Sequence, residues 1–130
     1  MDYCNIFTGA ARAARYLSRI DNDTINKTLG LVADAVEAAS GEILEANAKD
    51  LAQMPEDSPL RDRLLLTQDR IVGIASDMHH VASLPSPLGE VMEEWSRPNG
   101  MKIRKVRVPL GVIGVIYEAR PNVSFDVFSL

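Results

Sequence analysis

The residues with most chemistry to offer lie near the end of the chain, in "YEARPN", residues 117–122. Asn122 carries an amide N–H₂ that can donate to a developing oxyanion, aided by N–H groups at a helix start. Arg120 presents a rigid fork of donors that matches a carboxylate or a phosphate. Glu118 can accept from ribose hydroxyls or pair with Arg120. A plainer arrangement uses the same residues: Asn122 caps a helix, and Glu118 and Arg120 form a surface ion pair. The residue types alone leave both readings standing.

Other candidates carry less. His79 and His80 are adjacent on a helix and point about 100° apart, so their rings do not converge on one metal. They read as partly exposed polar residues, and no metal is expected. Arg97, Lys102, Arg104, Lys105 and Arg107 form a basic cluster on a hairpin, as in an edge strand guarded by charge. An oligomer contact or an anionic group is the secondary reading there. Gly111 and Gly114 do not make a dinucleotide fingerprint, which needs G-x-G-x-x-G at a strand-to-helix turn. They read instead as places where a neighbouring backbone approaches. Cys4 is far from either histidine and in no reactive motif.

Periodicity supplies the elements that must position these groups. The run from Leu110 to Tyr117 is apolar and rich in β-branched residues, which predicts a strand covered on both faces. "YEARPN" would then occupy its carboxyl end, where open α/β sheets place ligands. "NVSFDVFSL" predicts the start of a helix, capped by Asn122 or Ser124. Upstream, residues 8–53 read as helical. Thr24 is a candidate N-cap, and Ile25, Leu29, Val32, Val36 and Ala39 form one stripe. Ser40-Gly41 interrupts, Ile43, Leu44, Leu51 and Met54 resume, and Pro55 ends the segment. Thr67 caps a further helix whose buried stripe is Ile71, Ile74, Ala75, Met78, Val81 and Ala82, ending before Pro85. "PSPLG" at 85–89 is the linker. "EVMEEWSR" and "MKIRKVRV" then alternate about "PNG", which predicts a hairpin with Val91, Glu93 and Trp95 on one face. A buried parallel strand needs neighbours, so the order predicts the front part of a larger α/β protein.

Composition sets the outer bounds. The 130 residues are 46% apolar and 25% charged, with a net charge of −4, which argues against nucleic acid or an anionic membrane as partner. One cysteine allows no internal disulfide, and a reducing cytoplasmic setting fits. "MDYCNIFTGA" lacks the pattern of a signal peptide, and no run approaches the roughly 20 apolar residues of a membrane span.

"VRVPLGVIGVIYEARPNVSFD" resembles the signature segment of the γ-glutamyl phosphate reductase (glutamate-5-semialdehyde dehydrogenase) family. "ILEANAKDL", "DRLLLTQDRI" and "GEVMEEWSRPNGMKIRKVRVPLG" are similar to that family's N-terminal region, in the same order. The resemblance implies an α/β, aldehyde dehydrogenase-like fold, of which this chain is an N-terminal fragment. That fragment would hold helices (1–89), an oligomerisation-type β-hairpin (90–108) and the first strand of a truncated, Rossmann-like cofactor-binding domain (109–130). The implied reaction is NADPH-dependent reduction of L-glutamyl 5-phosphate to L-glutamate 5-semialdehyde with phosphate release, in proline biosynthesis. A cysteine thiolate beyond residue 130 would be the nucleophile, and Cys4 does not correspond to it.

In the wider superfamily an asparagine after the comparable strand donates to the oxyanion. An ungapped placement sets Arg120 there, whereas residue type selects Asn122, two positions later. The resemblance therefore implies Asn122 as the catalytic donor, Arg120 as the holder of substrate phosphate or carboxylate, and Ile116, Tyr117, Glu118 and Ala119 as the cofactor-facing segment. It further implies a homo-oligomer at full length, with a glutamate 5-kinase as a further partner. The alternative is a truncated, non-catalytic binding or assembly module.

Overall fold

A computed structural model describes residues 3–118 and 120–130. They form α1 (Tyr3–Leu17), α2 (Asn22–Ala38), α3 (Ser40–Ala52), α4 (Arg61–Leu64), α5 (Gln68–Ser83), β1 (Val91–Ser96), β2 (Lys102–Val106) and α6 (Pro121–Ser129). Two units result, one of residues up to Ile20 with Pro85–Gly114, the other of Asp21–Leu84 with Val115–Leu130. Among the described residues no helix is long and apolar enough to cross a membrane.

The second unit is built on α2 and α5, whose apolar stripes meet. Leu29 and Ala33 pack with Ile74, Ala75 and Met78, and Leu66 closes the cluster. Phe125 of α6 packs against it, half-buried, which ties the end of the chain to the helical core. Both stripes fall where their spacing predicts. The start of α2 does not. Its N-cap is Asp21 rather than Thr24, and the Asp21 side chain accepts from the Thr24 N–H at 2.7 Å. The polar residue one turn earlier takes the free donor, so the helix begins there. Thr67 does cap α5, accepting from the Arg70 N–H at 3.2 Å.

In the first unit, α1 starts at Tyr3, ahead of the predicted position, and buries none of its residues. β1 and β2 pair antiparallel, with Trp95 opposite Ile103 and Glu94 opposite Arg104. Gly100 at φ 83° supplies the turn, closed by the Gly100 N–H donating to the Arg97 carbonyl at 2.9 Å. The register slips between Val91 and Glu93, so Val91 lies opposite Val106 while Trp95 lies opposite Ile103. Positions 103 and 106 of β2 point to opposite faces, which separates Val91 from Trp95 and corrects the expectation that they share one. Three of the five hairpin cations are paired within it: Arg104 with Glu94 (2.6 Å), Lys105 with Glu93 (3.2 Å) and Arg107 with Glu90 (2.7 Å).

The apolar run 110–117 forms no strand in this chain. Residues 107–118 have no regular secondary structure, and Leu110 and Ile116 are exposed at 90% and 102%. Two physical reasons apply. A parallel strand needs a neighbour, and the described sheet consists of β1 and β2 alone. Gly111 also adopts φ 98°, which takes the chain out of the extended region. No atom lies within 4 Å of a Cβ built on Gly111 or Gly114, so neither marks a close approach here.

The α2 cap predicts a pH dependence. The hydrogen bond from the Thr24 backbone N–H holds the Asp21 carboxyl below its ordinary value of 3.8, with the Thr24 side chain adding to it. A depressed folded-state value means that the stabilisation is present above pH 3.8 and is lost as pH falls through the folded value. Denaturant titrations of the wild type and Asp21→Asn should show the wild type ahead above that point, with the gap closing in acid. A gap independent of pH would show that charge contributes nothing to the cap.

Candidate functional site

Proline sets the geometry of "YEARPN". Pro121 occupies the first position of α6, where its missing N–H costs nothing, and Arg120 is the N-cap residue, with extended backbone and no capping side chain. Asn122 and Ser124 therefore sit inside the first turns, and neither caps the helix. Asn122 instead donates from Nδ2 to Asp126 Oδ2 at 3.3 Å, one turn on, and its other amide N–H points elsewhere. Ser124 Oγ lies 2.6 Å from the Tyr117 hydroxyl, which closes the turn across Arg120 and Pro121. The Arg120 N–H donates to the Glu118 carbonyl at 2.7 Å.

Glu118 does not form the surface pair with Arg120 that one of the two readings offered, and makes a longer-range one instead. Arg63 Nη1 donates to Glu118 Oε2 at 3.0 Å, across 55 residues of sequence. Arg120 is left without an ion-pair partner among the described residues. It borders an open groove of about 490 Å³ with Asn122, Asp126, Arg63, Arg70 and Asp77. The structure thus brings Arg120 and Asn122 to one groove. Ile116, Tyr117 and Glu118 precede it on exposed chain, and Ala119 lies outside the described residues.

The wall opposite α6 is held by a residue that composition gave no reason to single out. Asn47 is buried at 5% exposure on α3. Its Nδ2 donates to the Leu64 carbonyl and its Oδ1 accepts from the Leu66 N–H, both at 2.8 Å. Arg70 adds donations to the carbonyls of Asp62 and Leu65, each at 2.7 Å. The readable signal for Asn47 was its place four residues from both Ile43 and Leu51, on an apolar stripe where an amide needs buried partners. The Ser124 contact had no such signal, because its partner Tyr117 lies on the folded turn, whereas Asp126 stands four residues from Asn122 on one helix. Among the described residues no cluster of three or more His, Cys, Asp or Glu could hold a metal ion.

No protein-family model matches the chain. Individual proteins do. It is 58% identical over 124 residues to a γ-glutamyl phosphate reductase of Bacteroides thetaiotaomicron, covering 95% of this chain and 30% of that protein. A γ-glutamyl phosphate reductase of Bacteroides fragilis is 52% identical over 130 residues, 100% of this chain and 31% of its own length. Over almost its whole length the chain is similar to part of these γ-glutamyl phosphate reductases. Among solved structures, the Thermotoga maritima γ-glutamyl phosphate reductase superposes with a TM-score of 0.87 at 36% identity, over 93% of this chain and 30% of that one. The Saccharomyces cerevisiae γ-glutamyl phosphate reductase gives 0.90 at 29%, over 99% and 34%. The chain therefore has the fold of the matching portion of γ-glutamyl phosphate reductase, and it spans about 30% of the length of these relatives.

Asn47→Ala leaves the Leu64 carbonyl and the Leu66 N–H without their partner in a buried site. It should destabilise the helical unit by about 1–3 kcal/mol in urea denaturation. A change within ordinary error of wild type would show that water or a rearranged loop replaces the amide at no cost.

Proposed function

We propose that the protein to which this chain contributes reduces L-glutamyl 5-phosphate to L-glutamate 5-semialdehyde, releasing phosphate and oxidising NADPH. The observation that carries this reading is the 58% identity, over 95% of the chain, to a protein named γ-glutamyl phosphate reductase. Such similarity gives no support to a non-catalytic assembly module. We further propose a cytoplasmic biosynthetic enzyme, homo-oligomeric at full length and working with a glutamate 5-kinase. Residues 109–130 open its cofactor-binding domain, after a helical region (1–89) and a hairpin (90–108).

The residues of this chain suit a nucleotide cofactor and an anionic substrate. Arg120 is exposed and has no ion-pair partner among the described residues, as a guanidinium reserved for a substrate phosphate or carboxylate should be. Glu118 uses Oε2 for Arg63, which leaves Oε1 to accept from ribose hydroxyls. Ile116 and Tyr117 are exposed apolar surface just before the turn, fit to lie against the cofactor. When bound, the nicotinamide would supply the hydride that takes the acyl group to the aldehyde level.

Asn122 is the proposed oxyanion donor. Its amide is steadied by Asp126 through one N–H, and the other is available to negative charge building on the carbonyl oxygen. Proximity to the N-terminus of α6 favours that charge further.

In the full-length enzyme, Asn122→Ala should lower kcat by about 10²–10³-fold with little change in KM. Steady-state kinetics with enzymatically generated acyl phosphate would check this. An unaltered kcat would remove Asn122 from the chemistry.

A further inference from the structure

The α4 turn is held far more firmly than a single helical turn could hold itself. Asn47 fixes its end at Leu64 and Leu66. Arg61 Nη1 donates to the Leu51 carbonyl at 2.9 Å, which ties its start to the end of α3. Arg70 donates to the Asp62 carbonyl at 2.7 Å and to Asp62 Oδ1 at 2.8 Å, which ties it to α5. Leu64 and Leu66 are buried on either side. Arg63 projects from this braced turn.

What Arg63 reaches is the opposite kind of chain. Residues 111–118 belong to no helix or strand, so no regular backbone ladder restrains them. The side-chain ties at their end are Tyr117 to Ser124 and Glu118 to Arg63. The first is local to α6, whereas the second connects the turn to the α3–α5 framework. An ion pair this exposed, at 48% and 64% side-chain exposure, adds little to global stability. Its effect falls on a segment that has no helix or strand ladder of its own.

We propose that Arg63 is a positioning residue, which acts through Glu118 to fix the turn carrying Arg120 and Asn122 beside the groove. It rests on the functional reading above for its consequence in catalysis, but not for the contact itself.

Two readouts separate these. In the ¹⁵N-labelled chain, Arg63→Ala should lower the backbone order parameters of Tyr117, Glu118, Arg120 and Asn122 from about 0.85 toward 0.6, leaving α2 and α5 unchanged. Arg63→Lys should restore most of the order, and Arg63→Ala should add nothing in a Glu118→Ala background. In the full-length enzyme the same Arg63→Ala change should lower kcat/KM by about 3- to 10-fold, again without further effect once Glu118 is alanine. Unchanged order at Tyr117, Glu118, Arg120 and Asn122, loosening that extends into α5, or kinetic effects that multiply in the double variant would each overturn the proposal. Lost order with normal kcat/KM would overturn the positioning role as well. A full-length protein inactive on the acyl phosphate, with the order still lost in Arg63→Ala, would contradict the functional reading and support the contact.

Discussion

Between the end of α3 and the start of α5 the regular structure is the single turn of α4, and Asn47 holds the end of that turn from a neighbouring helix. A side-chain amide carries its donor and its acceptor on separate atoms, so it can donate to a carbonyl and accept from an N–H two residues apart. Asn47 does both, at Leu64 and Leu66, from a buried position on α3. Leu66 is thereby delivered to the cluster formed by α2 and α5. The same bracket sets α4 beside the groove, from which Arg63 reaches Glu118. Removing the amide would therefore disturb core packing and groove geometry together.

Legibility from sequence divides along the range of the interaction involved. The α2 and α5 stripes, the Thr67 cap and the Asn99-Gly100 hairpin are local patterns, and each appears where its residues place it. Asp21 and Thr24 both have capping side chains, and only the direction of the hydrogen bond decides which one starts the helix. The slip at Met92 depends on pairing between two strands, and no single strand's alternation reveals it. The composition of the run 110–117 suits a sheet interior, but a strand is a relation between segments, and here it has no partner among the described residues.

The same division applies to the site. Arg120 and Asn122 were identifiable by chemical type, and both border the groove. Which group each neighbour holds was not identifiable. Glu118 had an adjacent cation in sequence and pairs instead with one 55 residues away. Asn122 had the composition of a cap, yet Pro121 starts the helix ahead of it and leaves its amide to Asp126. That release separates a structural asparagine from one with an N–H to spare, and it follows from one proline.

The central claim is that the turn after the apolar run is the reacting end of the proposed reductase. A crystal structure of the full-length enzyme with nicotinamide nucleotide and a carbonyl substrate analogue would test it most directly. The account predicts Asn122 Nδ2 at about 2.7–3.1 Å from the analogue's carbonyl oxygen, with the Arg120 guanidinium on its anionic group. An analogue bound away from the 116–122 segment, with Asn122 facing Asp126 alone, would contradict it.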